Sequence, residues 1–464
     1  VVMIPFPKSP YVLAVALSSL LCPSLSGQLG PEITSFRTNL NGGKGYSPDP
    51  TINAAITNVL ADVQRVQYNA TYSYISATTV PSYSIGPFNR NPNVPGNTRS
   101  VFRIPRNPRS VSNKTATGLG PIGVLVNGVP FFNALDARSY FNRGIWNQNA
   151  YVVEGPSFDT ALGHPAPGRG GAGLYHHHNM PSSALVQEGE TWGRKHSPLI
   201  GFAFDGYPIY GPYGYVNANG SGGIQRMRSG YQKRNITQRQ TLPNGTNLPQ
   251  SQWGPVVSSR YPLGYYAEDY EYLSSIGDLD AYNGRSTVTP EYPQGTYAYF
   301  TTVDINRDPV YPYVVGPQYY GVPISNRGVR VPAGVTTYRE QIQFTGAGCE
   351  DLALGASGQP TVPNANFAVT LSDGRSNGVA VILLGSGLLP TPLNLPPSTC
   401  SIYLDVTGPT LALGIVRLSG QGSYSLGVPI PNNPSLVGVS ADLQAAGSAG
   451  ASTVTTNAMT LLMR

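Results

Sequence analysis

Thr296-Tyr-Ala-Tyr-Phe-Thr-Thr-Val303 is built almost wholly of aromatic and β-branched residues, which fit a pleated, half-buried surface and lose side-chain freedom in a helix. It reads as a strand, as does Ile122-Gly-Val-Leu-Val126. Outward from these stretches the composition points the same way. Of 464 residues, 30 are Tyr, 54 Gly and 43 Pro, and only 11% are charged. Gly and Pro therefore make up about a fifth of the chain, below the roughly 25–30% of low-complexity segments. The 40% hydrophobic fraction is enough to fill a core, so disorder is excluded. Frequent breakers exclude a long helical bundle or a coiled coil. The predicted class is mainly β with a few short helices, and the length allows about two to four domains. A net charge of +6 with no basic run points away from nucleic acid as a partner.

Residues 1–26 have the layout of a secretory signal peptide: Lys8, an apolar stretch from Tyr11 to Leu21, then small residues at Ser24 and Ser26. Leu21 stands before Cys22, where a lipoprotein signal needs a small residue, so lipid anchoring is disfavoured. Beyond this leader no apolar run approaches the roughly 20 residues that cross a bilayer as a helix. The expected product is exported, secreted or held at the cell surface. Loss of the leader removes Cys22 and leaves Cys349 and Cys400, which are predicted to pair. That bond would close a loop of about 50 residues and contribute about 3–4 kcal/mol in the chain-entropy description.

Three regions follow the leader. Residues 27–120 mix Tyr- and Asn-rich strands with one predicted helix, Thr51 to Val66, in which Ile52, Ala55, Ile56, Val59, Leu60 and Val63 recur at three- and four-residue spacing behind Pro50. Residues 121–334 are dense in Tyr, Gly and Pro and hold every histidine. In residues 340–464 the tyrosines nearly vanish, leaving Tyr403 and Tyr424. There Asn366 to Leu371, Val379 to Leu384 and Ser401 to Val406, separated by turns, predict a β-sandwich stapled by Cys349 and Cys400.

All five histidines, His164, His176, His177, His178 and His196, fall within one stretch of about 33 residues. Neutral imidazole is the commonest protein ligand of Zn, Cu, Ni and Fe. If Leu174-Tyr-His-His-His-Asn179 is extended, His176 and His178 share one face while Tyr175 and His177 point away. His164 on the rigid loop Gly163-His-Pro-Ala-Pro-Gly168 and His196 in Lys195-His-Ser-Pro198 add two more nitrogens. Glu154, Asp159 and Asp205 lie near in sequence as further ligands, orienting partners or bases. The rival reading is a buried network of His and Tyr hydrogen bonds without metal.

Other chemistries have less support. The chain has no P-loop, and no Gly-x-Ser-x-Gly or Gly-x-Gly-x-x-Gly that leads from a strand into a helical pattern. Carboxylate pairs for glycoside hydrolysis could be drawn from Glu268, Asp269, Glu271, Asp278, Asp280 and Glu291, but such residues in Tyr-rich loops are more often turn formers and caps.

With these residues in view, the central region resembles the YHYH domain, a family of exported proteins named for a Tyr-His-Tyr-His motif. The stretches that carry the likeness are Ile122-Gly-Val-Leu-Val-Asn-Gly-Val-Pro130, Gly163-His-Pro-Ala-Pro-Gly168, Leu174-Tyr-His-His-His178 and His196-Ser-Pro-Leu-Ile-Gly-Phe-Ala-Phe-Asp-Gly-Tyr-Pro-Ile-Tyr-Gly211. Gly277 to Arg285, Thr289 to Phe300 and Tyr311 to Gly316 extend it, so that the likeness runs from about Asn39 to Val322. It implies that His176 and His178 are the motif histidines, with His164 and His196 at flanking family positions. His177 stands where the motif has Tyr, and the second motif is Tyr297-Ala298-Tyr299-Phe300, without histidine. The family brings no assigned activity with it. The tail is similar to β-rich modules on exported proteins of planctomycete-type bacteria, which implies a bacterial source and an accessory role.

The expectation is therefore an exported metalloprotein that binds Zn or Cu through His164, His176, His178 and His196, with Asp205, His177 and Tyr175 as supports or an extra ligand. An open position would serve hydrolysis with Zn or oxygen binding with Cu. The alternative is a non-enzymatic surface protein whose tyrosines, among them Tyr207, Tyr210, Tyr213, Tyr265, Tyr266, Tyr319 and Tyr320, meet polysaccharide or another cell-wall component.

Overall fold

Asp49 turns the chain into its first substantial helix by accepting hydrogen bonds from the backbone N–H groups of Thr51 and Ile52, with Pro50 at the first helical position. That helix, Pro50–Ile56, is shorter than the spacing of apolar residues predicts. Val63 belongs instead to the strand Val63–Tyr68. A register shift between Val63 and Arg65 lets Val63 and Val66 both face inward, fully buried, at a spacing of three. A bulged strand thus imitates the helical repeat.

The computed structural model describes residues 29–463 apart from 41, 169, 170, 339, 340, 397, 450 and 451. The leader expected over residues 1–26 lies outside the described residues. From Pro31 onward the chain forms one compact unit that is mainly β, as expected. A four-stranded sheet runs in the order Thr336–Tyr338, Val63–Tyr68, Tyr72–Ala77, Ser100–Pro105. An eight-stranded sheet follows, in the order Gly284–Thr287, Thr296–Phe300, Pro208–Tyr210, Leu199–Ala203, Pro121–Leu125, Pro130–Phe132, Leu174–His177, Gly163–Ala166. Its pairs are antiparallel except Pro208–Tyr210 with Thr296–Phe300 and Pro130–Phe132 with Leu174–His177. One core cluster joins Ile52, Ile56, Val80 and Ile85 of the N-terminal region to Ile200, Ile209, Tyr299 and Val314.

The tail places a five-stranded sheet and a three-stranded sheet over a shared core that includes Leu354, Val369 and Leu371 from one and Ile382, Leu443 and Met459 from the other. Cys349 and Cys400 are disulfide-bonded within it. Among the described residues no helix is long and apolar enough to cross a membrane.

Candidate metal centre

Three neighbouring elements at one edge of the eight-stranded sheet build the site. His164 on Gly163–Ala166 stands opposite His176 on Leu174–His177, so the two side chains share a face. Alternation along the strand sets His178 beside His176 and turns Tyr175 and His177 the other way. Glu154 arrives as the C-cap of the short helix Ala150–Val153. Glu154, His164, His176 and His178 each offer one ligand atom, and these atoms lie within 4.8 Å of one another.

Hydrogen bonds decide which nitrogen of each ring keeps its lone pair. His176 Nδ1 lies 3.0 Å from the carbonyl oxygen of Leu174, and His178 Nδ1 lies 2.7 Å from that of Asn133. A carbonyl only accepts, so both Nδ1 atoms carry the proton and both Nε2 atoms present a lone pair. For His164 the relay is one step longer. Ser157 Oγ donates to the Glu154 carbonyl at 2.7 Å and so accepts from His164 Nδ1–H, also at 2.7 Å. Asn91 Nδ2 stands 3.4 Å from the same nitrogen, a much longer contact than the 2.7 Å to Ser157 Oγ; one of its two hydrogens goes to Pro165 O at 2.9 Å, and Asn91 Oδ1 accepts from the Asn93 N–H.

Three bare Nε2 atoms consequently face a carboxylate. His176 Nε2 and His178 Nε2 are 3.1 Å apart, and Glu154 Oε2 is 3.2 Å from His164 Nε2 and 3.1 Å from His178 Nε2. Glu154 Oε2 and His164 Nε2 are buried without a hydrogen-bond partner. Two lone pairs at 3.1 Å repel unless a proton or a cation lies between them, and three nitrogens with one oxygen form a donor set suited to a transition ion. Burial, then the neighbouring His178 and His164, hold His176 well below the ordinary imidazole range. Burial works to raise the Glu154 carboxyl, yet the hydrogen bonds it accepts when the facing nitrogens of His164 and His178 carry protons outweigh it and hold Glu154 well below the usual carboxylate range; beside bare nitrogens a cation has to take that part. Asp136 is pushed up to about 6 by burial and by Glu154 beside it, so Glu154 keeps the charge of that pair.

Aromatic walls fix the rings. Phe132 stacks on His176 with centroids 4.0 Å apart, and Phe158 meets His164 edge-on at 4.8 Å. The ligand atoms open on a cleft of about 550 Å³ that is also lined by Arg90, Asn91, Leu135, Arg138 and Pro165.

Tyr175 and His177 support the strand from behind. His177 Nδ1–H donates to Leu162 O at 3.0 Å, leaving Nε2 to accept from the Tyr83 hydroxyl at 2.9 Å. Burial lowers His177 to about 4. The Tyr175 hydroxyl donates to Asp159 Oδ2 at 2.9 Å, and Asp159 Oδ1 accepts from the N–H of Gly163, which ties down the turn before His164. Asp159 is thus an anchor and not a ligand.

Two expected members are elsewhere. His196 precedes Leu199–Ala203, and two strands stand between that strand and Leu174–His177. Its ring packs among Tyr210, Tyr215 and Phe300, its Nδ1 lies 2.8 Å from Ser197 O, and burial lowers its pKa. Closeness in sequence does not survive the crossover. Asp205, fully buried, accepts from the Tyr299 hydroxyl at 2.6 Å and the Gly321 N–H at 2.9 Å. It holds a loop on the far strands. Four strands separate Thr296–Phe300, with Tyr297-Ala298-Tyr299-Phe300, from Leu174–His177, roughly 24 Å at the usual strand spacing. The two motifs do not meet in one site.

Ser157, Asn133, Phe132, Phe158 and Asp136 complete the centre, and sequence reading missed them because only the fold brings them near. The carboxylates weighed for glycoside hydrolysis have structural partners: Asp269 with Arg239, Asp278 with Arg228, Glu268 with Asn147, Glu271 with Gln232, Asp280 with Tyr297 and Glu291 with Tyr210. Of the candidate stacking tyrosines, Tyr207, Tyr210, Tyr266 and Tyr319 are buried, while Tyr213, Tyr265 and Tyr320 are half-buried.

Residues 101–311, a little under half of the chain, match the model of a family described as YHYH protein. The four clustered residues lie inside the match, whereas Tyr83 and Asn91 lie before it. No curated protein matches the chain.

Proposed function

We propose that this YHYH-domain protein is an exported metalloprotein that holds one divalent transition ion, Zn or Cu, through His164, His176, His178 and Glu154. The observation that carries the reading is the fixed tautomer of all three rings: each Nδ1–H is committed to an oxygen acceptor, and each Nε2 lone pair points to one place beside a carboxylate. The cleft over these atoms leaves room for a substrate. Bound there, Zn would supply a Lewis acid and an activated water, and Cu a site for oxygen. Export rests on the leader-like residues 1–26 and on the disulfide, a bond that persists in oxidising compartments. The tail, on this reading, is an accessory module.

The rival is a network without metal, in which extra protons on His178 and His164 bridge to Glu154 at the same 3.1 and 3.2 Å separations. Elemental analysis of the full chain after exhaustive dialysis separates the two. One ion per chain is expected, with loss in His176→Ala, His178→Ala and Glu154→Gln and retention in His196→Ala. Wild-type protein without bound metal, or equal loss in His196→Ala, would sink the proposal.

A further inference from the structure

The cleft above the histidines is rimmed by Arg90 and Arg138, both exposed. The strand Leu135–Ser139 leaves the cleft through Arg138 and runs directly into Tyr140 and Phe141. There the chain builds an aromatic shelf. The Tyr140 and Phe141 rings are 4.3 Å apart, Tyr261 meets Tyr140 edge-on at 6.0 Å, and Arg143 and Arg260 lie 5.1 and 5.4 Å from the ring centroids of Phe141 and Tyr261.

Phe141 is 69% exposed and holds φ 52° and ψ 24°, and Asn142 follows at φ 55°. A left-handed backbone at an aromatic residue costs conformational energy, and an exposed ring forgoes hydrophobic stabilisation. Neither feature helps the fold, and such outliers gather where ligands are held. Among the described residues Arg90, Arg138, Arg143 and Arg260, like most arginines of the chain, have no carboxylate at ion-pair distance, and Arg143 donates to the Ser251 carbonyl; what sets these four apart is their place along the cleft and the aromatic shelf.

We propose that this strip binds a polyanionic polysaccharide, carboxylated or sulfated, with sugar rings on Phe141 and Tyr261 and its acid groups on the guanidiniums, and leads the chain into the cleft. Ring faces take the apolar face of a sugar, and the planar guanidinium fork matches carboxylate or sulfate. Single-stranded nucleic acid would use a similar mixture. A net charge of +6 over 464 residues, with no basic run, disfavours it. The inference does not rest on a metal.

The test titrates the full chain with polygalacturonate, dextran sulfate, neutral dextran and a single-stranded DNA oligomer, with and without chelator. Binding to at least one of the two charged polysaccharides and not to dextran is expected, and the polymer that binds tells carboxylate from sulfate. Phe141→Ala and the double variant Arg138→Ala/Arg260→Ala should each weaken binding about tenfold. Phe141→Gly, which relieves the left-handed strain, should weaken it equally while keeping the thermal midpoint. The proposal is overturned if neither charged polysaccharide binds, if dextran binds as well, if DNA binds more tightly than either polymer, or if the variants bind like wild type. Loss of binding on chelation, with the variants unaffected, would also overturn it and place the polymer on a metal.

Discussion

At the scale of single residues, the centre depends on atoms that never touch its ligand-facing side. Ser157 Oγ spends its proton on Glu154 O and so fixes the His164 proton on Nδ1. Ser157→Ala removes that acceptor and leaves the ring free to turn or change tautomer. Metal affinity should fall about 10- to 100-fold, the usual effect of losing such a partner, with little change in thermal midpoint. Competition with a metal indicator measures it, and unchanged affinity would refute the relay. Asp205 gives a second residue-level test, remote from the metal centre. Burial raises its carboxyl from 3.8 to about 6 against the opposing bonds from Tyr299 and Gly321. Between those pH values the folded chain holds a proton that the unfolded chain has released. Stability from this group is therefore full below the lower value and is lost as pH rises through the upper one, by about 3 kcal/mol. Asp205→Asn lacks this slope. Denaturant titrations of both proteins from pH 4 to pH 7 should show wild type losing that margin relative to the variant, and a constant difference would exclude the linkage.

At the scale of elements, the ligand set is a property of strand alternation and pairing. The Leu174–His177 strand needs Gly163 beneath it, because a Cβ there would lie 2.5 Å from the Tyr175 hydroxyl oxygen and 2.9 Å from His177 Cε1. Gly163→Ala should push both rings, cost about 1–3 kcal/mol and loosen the metal through His164 next door. Thermal unfolding and metal titration on one sample check this, and an unaltered melting curve would contradict it. Period two was legible in Tyr175-His-His-His178 because it needs only neighbouring residues, and His176 and His178 do face one another. Helical spacing misled at Val63 and Val66, where a bulge produced the same interval. Glu154 could be named as a candidate but not chosen over Asp159 or Asp205, since all three lie close to the histidines in sequence. His196 was drawn in by the same proximity, and the order of strands sends it elsewhere.

At the scale of the whole molecule, the region that matches the YHYH family is smaller than the unit that folds. Residues 101–311 hold the ligands, but Val63–Tyr68 pairs with Thr336–Tyr338, and Tyr72–Ala77 pairs with Ser100–Pro105 across the edge of the match. Contacts at the centre also reach back beyond it. Tyr83 bonds His177, Asn91 bonds Pro165 O, and Pro95 bridges to Gly173 in the turn that leads to His176. Excision of residues 101–311 would strip Ser100–Pro105 of its partner and expose core residues such as Ile122 and Ile200, whose cluster includes Ile52, Ile56 and Val80. An unpaired edge beside exposed apolar surface favours aggregation over a fixed fold. A fragment of residues 101–311 should therefore lack cooperative unfolding and bind metal no better than the His176→Ala full chain. A fragment of residues 31–338, which restores both strand pairs and the three contacts, should recover the metal stoichiometry. Circular dichroism melts and metal analysis of the two fragments decide it. Cooperative melting and full metal content in the shorter one would show that the centre is set by the ligand strands alone, with Tyr83, Asn91 and Pro95 as bystanders.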